Sequence, residues 1–333
     1  MKILPELLGD DFLDKTPPQY TGGVIANALG YNIFRTIYHN LGRVKPGKVS
    51  KEYQKYLDIL ERDGILVIND FYPKEQFEEL KKEFDEAYSN WDPMKVNPEE
   101  FTKRQKDFPE YFQSIAEKIV TPDSTAYNKY FLNNKMISEL SEAVTNRKIR
   151  TTPYHHFWYL KRRTLGKESD KSFHSAGYPH ADVPYPTIKV FLYMNDVDEK
   201  NAAYIFAPGT HKLTLKRLWL EYKYSIRFAK DKNDVATSGT DVEYLGSKSK
   251  SICGKANTLI ISNNMGYHNR GNFSSLDPRQ TAQLDYRNLG SWRNNLNRND
   301  KDIFSRISKK FYKYIDKANK EKIRASLSNN NMS

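Results

Sequence analysis

Cysteine is almost absent from this chain: Cys253 stands alone among 333 residues. One thiol excludes a disulfide framework and a cysteine-built zinc site, and it suits a reducing compartment. Long apolar runs are missing as well, none approaching the roughly 20 residues that a membrane helix needs. The opening MKILPELLGDDFLDK turns acidic too early for a secretory signal. Internal repeats and low-complexity tracts are lacking. Negative charge is in deficit, with 41 Asp plus Glu against 53 Lys plus Arg, for a formal net charge of +12. Much of the excess lies between Ser291 and Ser333, where eleven Lys or Arg meet four acids. Aromatic residues, by contrast, are plentiful at 13%, and the hydrophobic set reaches 38%. That is enough to build a sizeable core and excludes a disordered chain. The expectation is a soluble, cytoplasmic globular protein.

Residues 1–45, rich in Gly, Pro and Tyr, read as an irregular arm with one short helix. A helix over 51–62 follows from Tyr53, Tyr56, Leu57 and Leu60 on one face, with Gly64 ending it. Ile65–Ile68 reads as a strand. Pro73 opens a further helix carrying Phe77, Leu80, Phe84 and Tyr88 at spacings of three and four. Segments 108–119 and 135–145 also read as helices. From Ile149 the texture turns to β, with strands expected in 150–163, 187–195, 202–207, 258–262 and 281–287, separated by turn clusters. Helices followed by strands argue for α+β with a mainly β core. The domain is expected to span 46–290. A basic helix at about 301–324, within 291–333, is expected to pack its Ile303, Ile307, Phe311 and Ile315 stripe on that domain.

Histidine is scarce, at seven, so each can be weighed. His180-Ala181-Asp182 is the informative one: residues i and i+2 of an extended segment project to one face, so imidazole and carboxylate can reach the same ion. Chance alone predicts roughly half such a pair in this composition, so context has to decide. A strand follows (TIKVFLYMND), then a turn, a second strand, and Pro208-Gly209-Thr210-His211-Lys212. His268, just beyond the apolar NTLIISNN, is the natural third ligand of a two-His, one-carboxylate facial triad, which leaves open positions on Fe(II). Arg279 heads the strand TAQLDYR, where a guanidinium can grip a carboxylate through two parallel hydrogen bonds. Tyr159 and Lys161 share a strand face and are candidates to line a substrate mouth. His211 reads as packing or capping. His155 and His156 read as core packing, with a substrate contact open to whichever points inward. His174 stands equally between an exposed and a functional reading, and His39 has no identifiable partner.

Together, His180-Ala181-Asp182, the segment NAAYIFAPGTHK (201–212), His268-Asn269-Arg270-Gly271-Asn272, Arg279 and the opening GILVINDFYPKEQFEELKKEF (64–84) resemble the phytanoyl-CoA dioxygenase group of Fe(II)/2-oxoglutarate oxygenases. The resemblance implies a double-stranded β-helix, a jelly-roll barrel, with iron at one mouth. It implies that His180, Asp182 and His268 bind Fe(II) and that Arg279 binds the distal carboxylate of 2-oxoglutarate. It also implies that Phe191 and Arg270 lie beside that co-substrate. The family's usual Asn-Gly is Asn201-Ala202 here, and a Trp commonly found before the first ligand is Pro179. A carboxylate at Asp182, where halogenating relatives carry a small residue, points to hydroxylation.

The function expected is therefore a dioxygenase that uses O2 and 2-oxoglutarate to hydroxylate an unactivated carbon of a small acidic or carrier-bound metabolite, releasing succinate and CO2. Two other classes stand beside it: a catalytically silent jelly-roll binding protein, and a binder of nucleic acid or another polyanion motivated by the charge. Against the last, no zinc-finger spacing or RNP-like motif is present.

Overall fold

The computed structural model describes residues 24–41, 47–89, 111–116, 125–145, 154–162, 178–183, 185–230 and 239–286. For 111–116, and for 154–162 apart from Phe157, it describes the backbone only; the side chains of Arg35, Tyr38, His39 and Leu41 are likewise left out. The helix expected at 301–324 lies outside these residues.

Helices α1 (Val24–Ala28) and α2 (Tyr31–Leu41) come first, where the arm was read as mostly irregular. Gly30, at φ +87°, makes the sharp break between them that a side chain would strain. A 3₁₀ turn (Lys51–Tyr53) leads into α3 (Gln54–Asp63), which buries Leu57 and Leu60 as the periodicity predicts. Gly64, at φ +78°, caps α3 by donating its N–H to the Leu60 carbonyl. Strand β1 (Ile65–Ile68) and helix α4 (Lys74–Ser89) follow as expected. Segment 108–119 is a correction: Tyr111–Ala116 forms strand β2, not a helix. Its Phe108, Tyr111, Phe112 and Ile115 mimic helical spacing, but the open edge of a neighbouring strand offers a full ladder and tertiary pairing overrides the local pattern. A π-helical turn (Tyr127–Leu132) precedes α5 (Lys135–Thr145).

The remaining elements build the barrel. They are β3 (Tyr154–Arg162), β4 (Ile188–Tyr193), β5 (Tyr204–Phe206), α6 (Leu215–Lys230), α7 (Gly239–Tyr244), β6 (Lys250–Ile252), β7 (Leu259–Asn263), β8 (His268–Arg270) and β9 (Arg279–Asp285). Six antiparallel strands pair in the order β1-β7-β4-β9-β3-β2, and three more in the order β6-β5-β8. This two-sheet arrangement is the jelly-roll of an α+β protein. Helix α6 has its own signal, Leu220, Tyr224 and Phe228 at spacings of four after Thr214, whose hydroxyl accepts the Arg217 N–H.

Alternation along the strands of the larger sheet sorts the residues into two sets. Ile188, Val190, Leu192, Leu259, Ile261, Ala282 and Leu284 join the helices in one core with Leu60, Leu80, Phe84 and Ile137. Phe191, Tyr193 and Ile260 point the other way and pack against Tyr204 and Phe206 of the smaller sheet. The site lies on that inner side.

Candidate metal centre

His180 sits outside the regular strands yet is pinned like a strand residue. Its N–H donates to the His268 carbonyl at 2.9 Å, and the His268 N–H returns the bond to the His180 carbonyl at 2.8 Å. Two residues on, the Asp182 N–H bonds the Asn264 carbonyl at 3.1 Å. The main chain therefore brings the HxD segment alongside the far strand that carries the third residue.

The side chains converge as the spacing predicts. His180 Nε2 and His268 Nε2 lie 3.7 and 3.5 Å from Asp182 Oδ1, and one ligand atom from each residue falls within 4.8 Å of the others. Each imidazole is oriented from behind: His180 Nδ1 lies 2.8 Å from the Tyr178 carbonyl and His268 Nδ1 2.9 Å from the Gly266 carbonyl. A carbonyl only accepts, so each Nδ1 carries the proton and each Nε2 lone pair faces the cluster. Burial, reinforced by the neighbouring His268, holds the His180 imidazole down to about 4, so it is neutral and fit to ligate at physiological pH. Gly266 is required for this approach, because a Cβ there would meet Phe206 Cζ at 2.5 Å.

Asp182 is held just as firmly. Its Oδ2 accepts from Asn264 Nδ2 at 2.7 Å and from Lys189 Nζ at 3.1 Å, leaving Oδ1 to face the imidazoles. Asn264 is fixed in turn, its Oδ1 accepting from the Ser262 hydroxyl. Lys189 and Asn264 are partners of the triad carboxylate that the sequence reading missed. Lys189 had a signal: a lone cation inside the apolar run TIKVFLYM must find a charged partner on the inner face.

Arg279 is the second feature of this interior. It is only 7% exposed, one of its terminal nitrogens donates to the Ala202 carbonyl, and its buried Nε has no hydrogen-bond partner. No carboxylate pairs with it among the described residues. Burial, with a push from the Arg270 charge, lowers its pKa to about 10, so it remains a cation. The carbonyl it holds belongs to a strained residue, since Ala202 sits at φ +63°, in the left-handed region that favours glycine. Phe191 packs against Tyr204 with centroids 4.9 Å apart and the rings tilted by 43°, and the Tyr204 ring lies 5.6 Å from that of His268. Burial raises the Tyr193 hydroxyl to about 12 and holds the Tyr204 hydroxyl well above its ordinary value, so both stay neutral donors. Arg270 pairs opposite Tyr204 on β8 and is half-buried.

The structure thus brings His180, Asp182 and His268 together, and places Phe191 and Arg279 in the same interior. Tyr159 falls opposite Gln280 on β3, on the register face of Phe157, which belongs to the helix-side core; Lys161 shares that face. The side chains of Tyr159 and Lys161 lie outside the described residues, as do those of His39, His155 and His156 and the whole of His174. His211 packs away from the triad, its Nε2 bonding the Glu61 carbonyl at 3.2 Å while a Cβ on Gly64 would meet its Nδ1 at 2.4 Å.

The donor set suits Fe(II). Two imidazoles and one carboxylate oxygen on a single side would leave the remaining positions open, the facial arrangement of non-haem oxygenases. A buried arginine with an unsatisfied Nε suits a carboxylate ligand.

Among solved structures the chain is similar to HygX from Streptomyces hygroscopicus with nickel and 2-oxoglutarate bound, at 15% identity and TM-score 0.44, covering 72% of this chain and 87% of that one. It is also similar to EctD from S. alaskensis in its apo form, at 12% identity and TM-score 0.48, covering 73% and 80%. Both are distant likenesses. No curated protein matches the chain. The phytanoyl-CoA dioxygenase (PhyH) family matches residues 60–240, more than half of the sequence and inclusive of the HxD pair. The chain belongs to the phytanoyl-CoA dioxygenase family of iron- and 2-oxoglutarate-dependent oxygenases.

Proposed function

We propose that the protein hydroxylates an unactivated carbon of a small acidic or carrier-bound metabolite, consuming O2 and 2-oxoglutarate and releasing succinate and CO2. The observation that carries this reading is the convergence of His180 Nε2, Asp182 Oδ1 and His268 Nε2, with the second polar atom of every one of these side chains already engaged elsewhere. Such a site is built to offer three ligands and no more. Iron bound there would supply the oxidising power, coupling decarboxylation of 2-oxoglutarate to oxidation of the substrate.

The other roles fall to groups that position and exclude. Arg279 would hold the distal carboxylate of 2-oxoglutarate through paired N–H donors. Phe191 and Tyr204 would wall the co-substrate against water, with Tyr193 and Arg270 at its edges. Lys189 and Asn264 would keep Asp182 monodentate by occupying Oδ2, so a metal position is not lost to chelation. None of these groups transfers a proton in this scheme. Asp182 favours hydroxylation over halogenation, because it fills the place that a halide would need.

Anaerobic titration with Fe(II) and 2-oxoglutarate tests the reading. The expected result is a weak visible charge-transfer band that requires both components, disappears in Asp182→Ala and weakens in Arg279→Ala. Succinate release should fall more than about a thousandfold in Asp182→Ala. Tight 2-oxoglutarate binding with no succinate released under any substrate would instead establish a silent binding protein.

A further inference from the structure

The large exposed apolar side chains of this molecule are not scattered. Of the nine among the described residues, Ile25, Phe34, Leu215 and Trp219 lie on α1, α2 and α6, Leu29 and Leu213 in the turns just after α1 and just before α6, and Tyr244 on α7, with Lys216 of α6 over its ring. Three hydrogen-bonded or stacked contacts make the cluster contiguous. Asn27 Nδ2 donates to the Ser225 carbonyl at 2.9 Å, and the Tyr222 hydroxyl donates to the Ala28 carbonyl at 3.1 Å, which sets Leu29 beside the middle of α6. Tyr222 then stacks on Trp219 with centroids 5.7 Å apart, and Leu215 lies one turn before Trp219. Leu29 is 83% exposed, Leu215 85% and Trp219 56%.

The charge around this ridge is mainly positive, with Glu61 and Asp63 near Lys212 as the acids on its flank. Residues 24–41 contain no acid, and 212–230 contain only Glu221, which is buried and paired with Arg217 at 2.6 Å. Lys212, Lys216, Arg227 and Lys230 are exposed along the same helix and its lead-in. The neighbouring α7 adds one exposed acid, Glu243.

We infer that this face docks the protein on an anionic lipid surface. Protruding Leu and Trp side chains can enter the headgroup–acyl boundary, while lysines around them meet anionic headgroups and keep their stems apolar. A second copy of the chain fits poorly, because it would set one cluster of cations against another. A nucleic acid would gain nothing from the leucines. An acidic protein is the rival occupant, and vesicle co-sedimentation separates it from a lipid surface. The opposite face of α6, through Leu220, Tyr224 and Phe228, packs in one cluster with Ala181 and Tyr267, each next to a triad residue. Docking would therefore bring the lipid surface to within one helix of the metal centre.

Co-sedimentation of the full chain with vesicles decides the matter independently of any oxygenase activity. Vesicles with about 30% phosphatidylserine in phosphatidylcholine should bind the protein at least about tenfold better than phosphatidylcholine alone, and about 0.5 M salt should abolish the difference. Leu29→Ser/Leu215→Ser and, separately, Lys212→Glu/Lys216→Glu should each lose about tenfold, with unchanged melting temperature. Leu276→Ser, an exposed apolar residue elsewhere, should change nothing. The idea is overturned by equal binding to both vesicles, or by binding that the Leu29→Ser/Leu215→Ser pair leaves intact, which would mean that net charge alone acts. It is equally overturned if that pair dissolves a dimer, or removes an acidic protein partner, without touching vesicle binding.

Discussion

The two faces of the larger sheet are made by the same strands and differ in almost everything else. Along β4, Ile188, Val190 and Leu192 enter the helix-packed core, while Lys189, Phe191 and Tyr193 between them face the interior. Along β9, Ala282 and Leu284 join the core, while Arg279, Thr281, Gln283 and Asp285 alternate onto the other side. The residues that enter the core from one face are all apolar and hold the chain folded. The other buries hydroxyls, an amide, a carboxylate and two cations, which cost free energy to desolvate and lie on the side of the triad. Period-two alternation lets a single strand serve both ends.

That contrast can be broken from either side. The largest effect belongs to the apolar face: Leu284→Ala should cost about 3 kcal/mol of stability, read by denaturant titration, while each folded molecule still binds Fe(II). On the inner face the pattern should invert. Lys189→Met frees Asp182 Oδ2, and metal affinity or succinate release should fall by about 10- to 100-fold with little change in melting temperature; Lys189→Arg should recover part of the loss. A control lies off both faces. Burial holds His211 at about 4, below its unfolded value of about 6.5, so the unfolded state takes up the proton first and stability drains away as pH falls through that window. By pH about 5.5 the loss should reach about 1.4 kcal/mol and be absent in His211→Phe, provided the phenyl ring fits against Gly64. The smallest effect is a gain. Ala202→Gly relieves a left-handed residue and should add about 0.5–1 kcal/mol, visible as a rise in melting temperature, without loss of Arg279 function because the carbonyl that Arg279 holds is retained.

Sequence logic reached the site more completely than it reached the scaffold. His180, Asp182 and His268 were legible because few side chains can ligate Fe(II), and because the i, i+2 geometry of an extended segment is fixed by the backbone. Lys189 and Asn264 were not, since their importance depends on which oxygen of Asp182 they reach, a fact of folding rather than of spacing. Ile65–Ile68 and Lys135–Thr145 were predicted to the residue because their patterns and caps agree. Tyr111–Ala116 was misread because its aromatic spacing fits a helix while its fate was set by the edge of β3. Helix α6 was passed over, although its Leu220–Tyr224–Phe228 stripe was there to be seen.

The reciprocal main-chain bonds between His180 and His268 carry a consequence for assembly. They join two segments distant in the chain without help from any side chain, so the claw that grips the metal closes when the barrel closes. The metal would then be expected to load after the barrel has closed, and a chelator should strip the ion from an intact shell instead of unravelling it. An empty molecule waiting in an iron-poor cell would keep its shape, ready to be charged when iron returns.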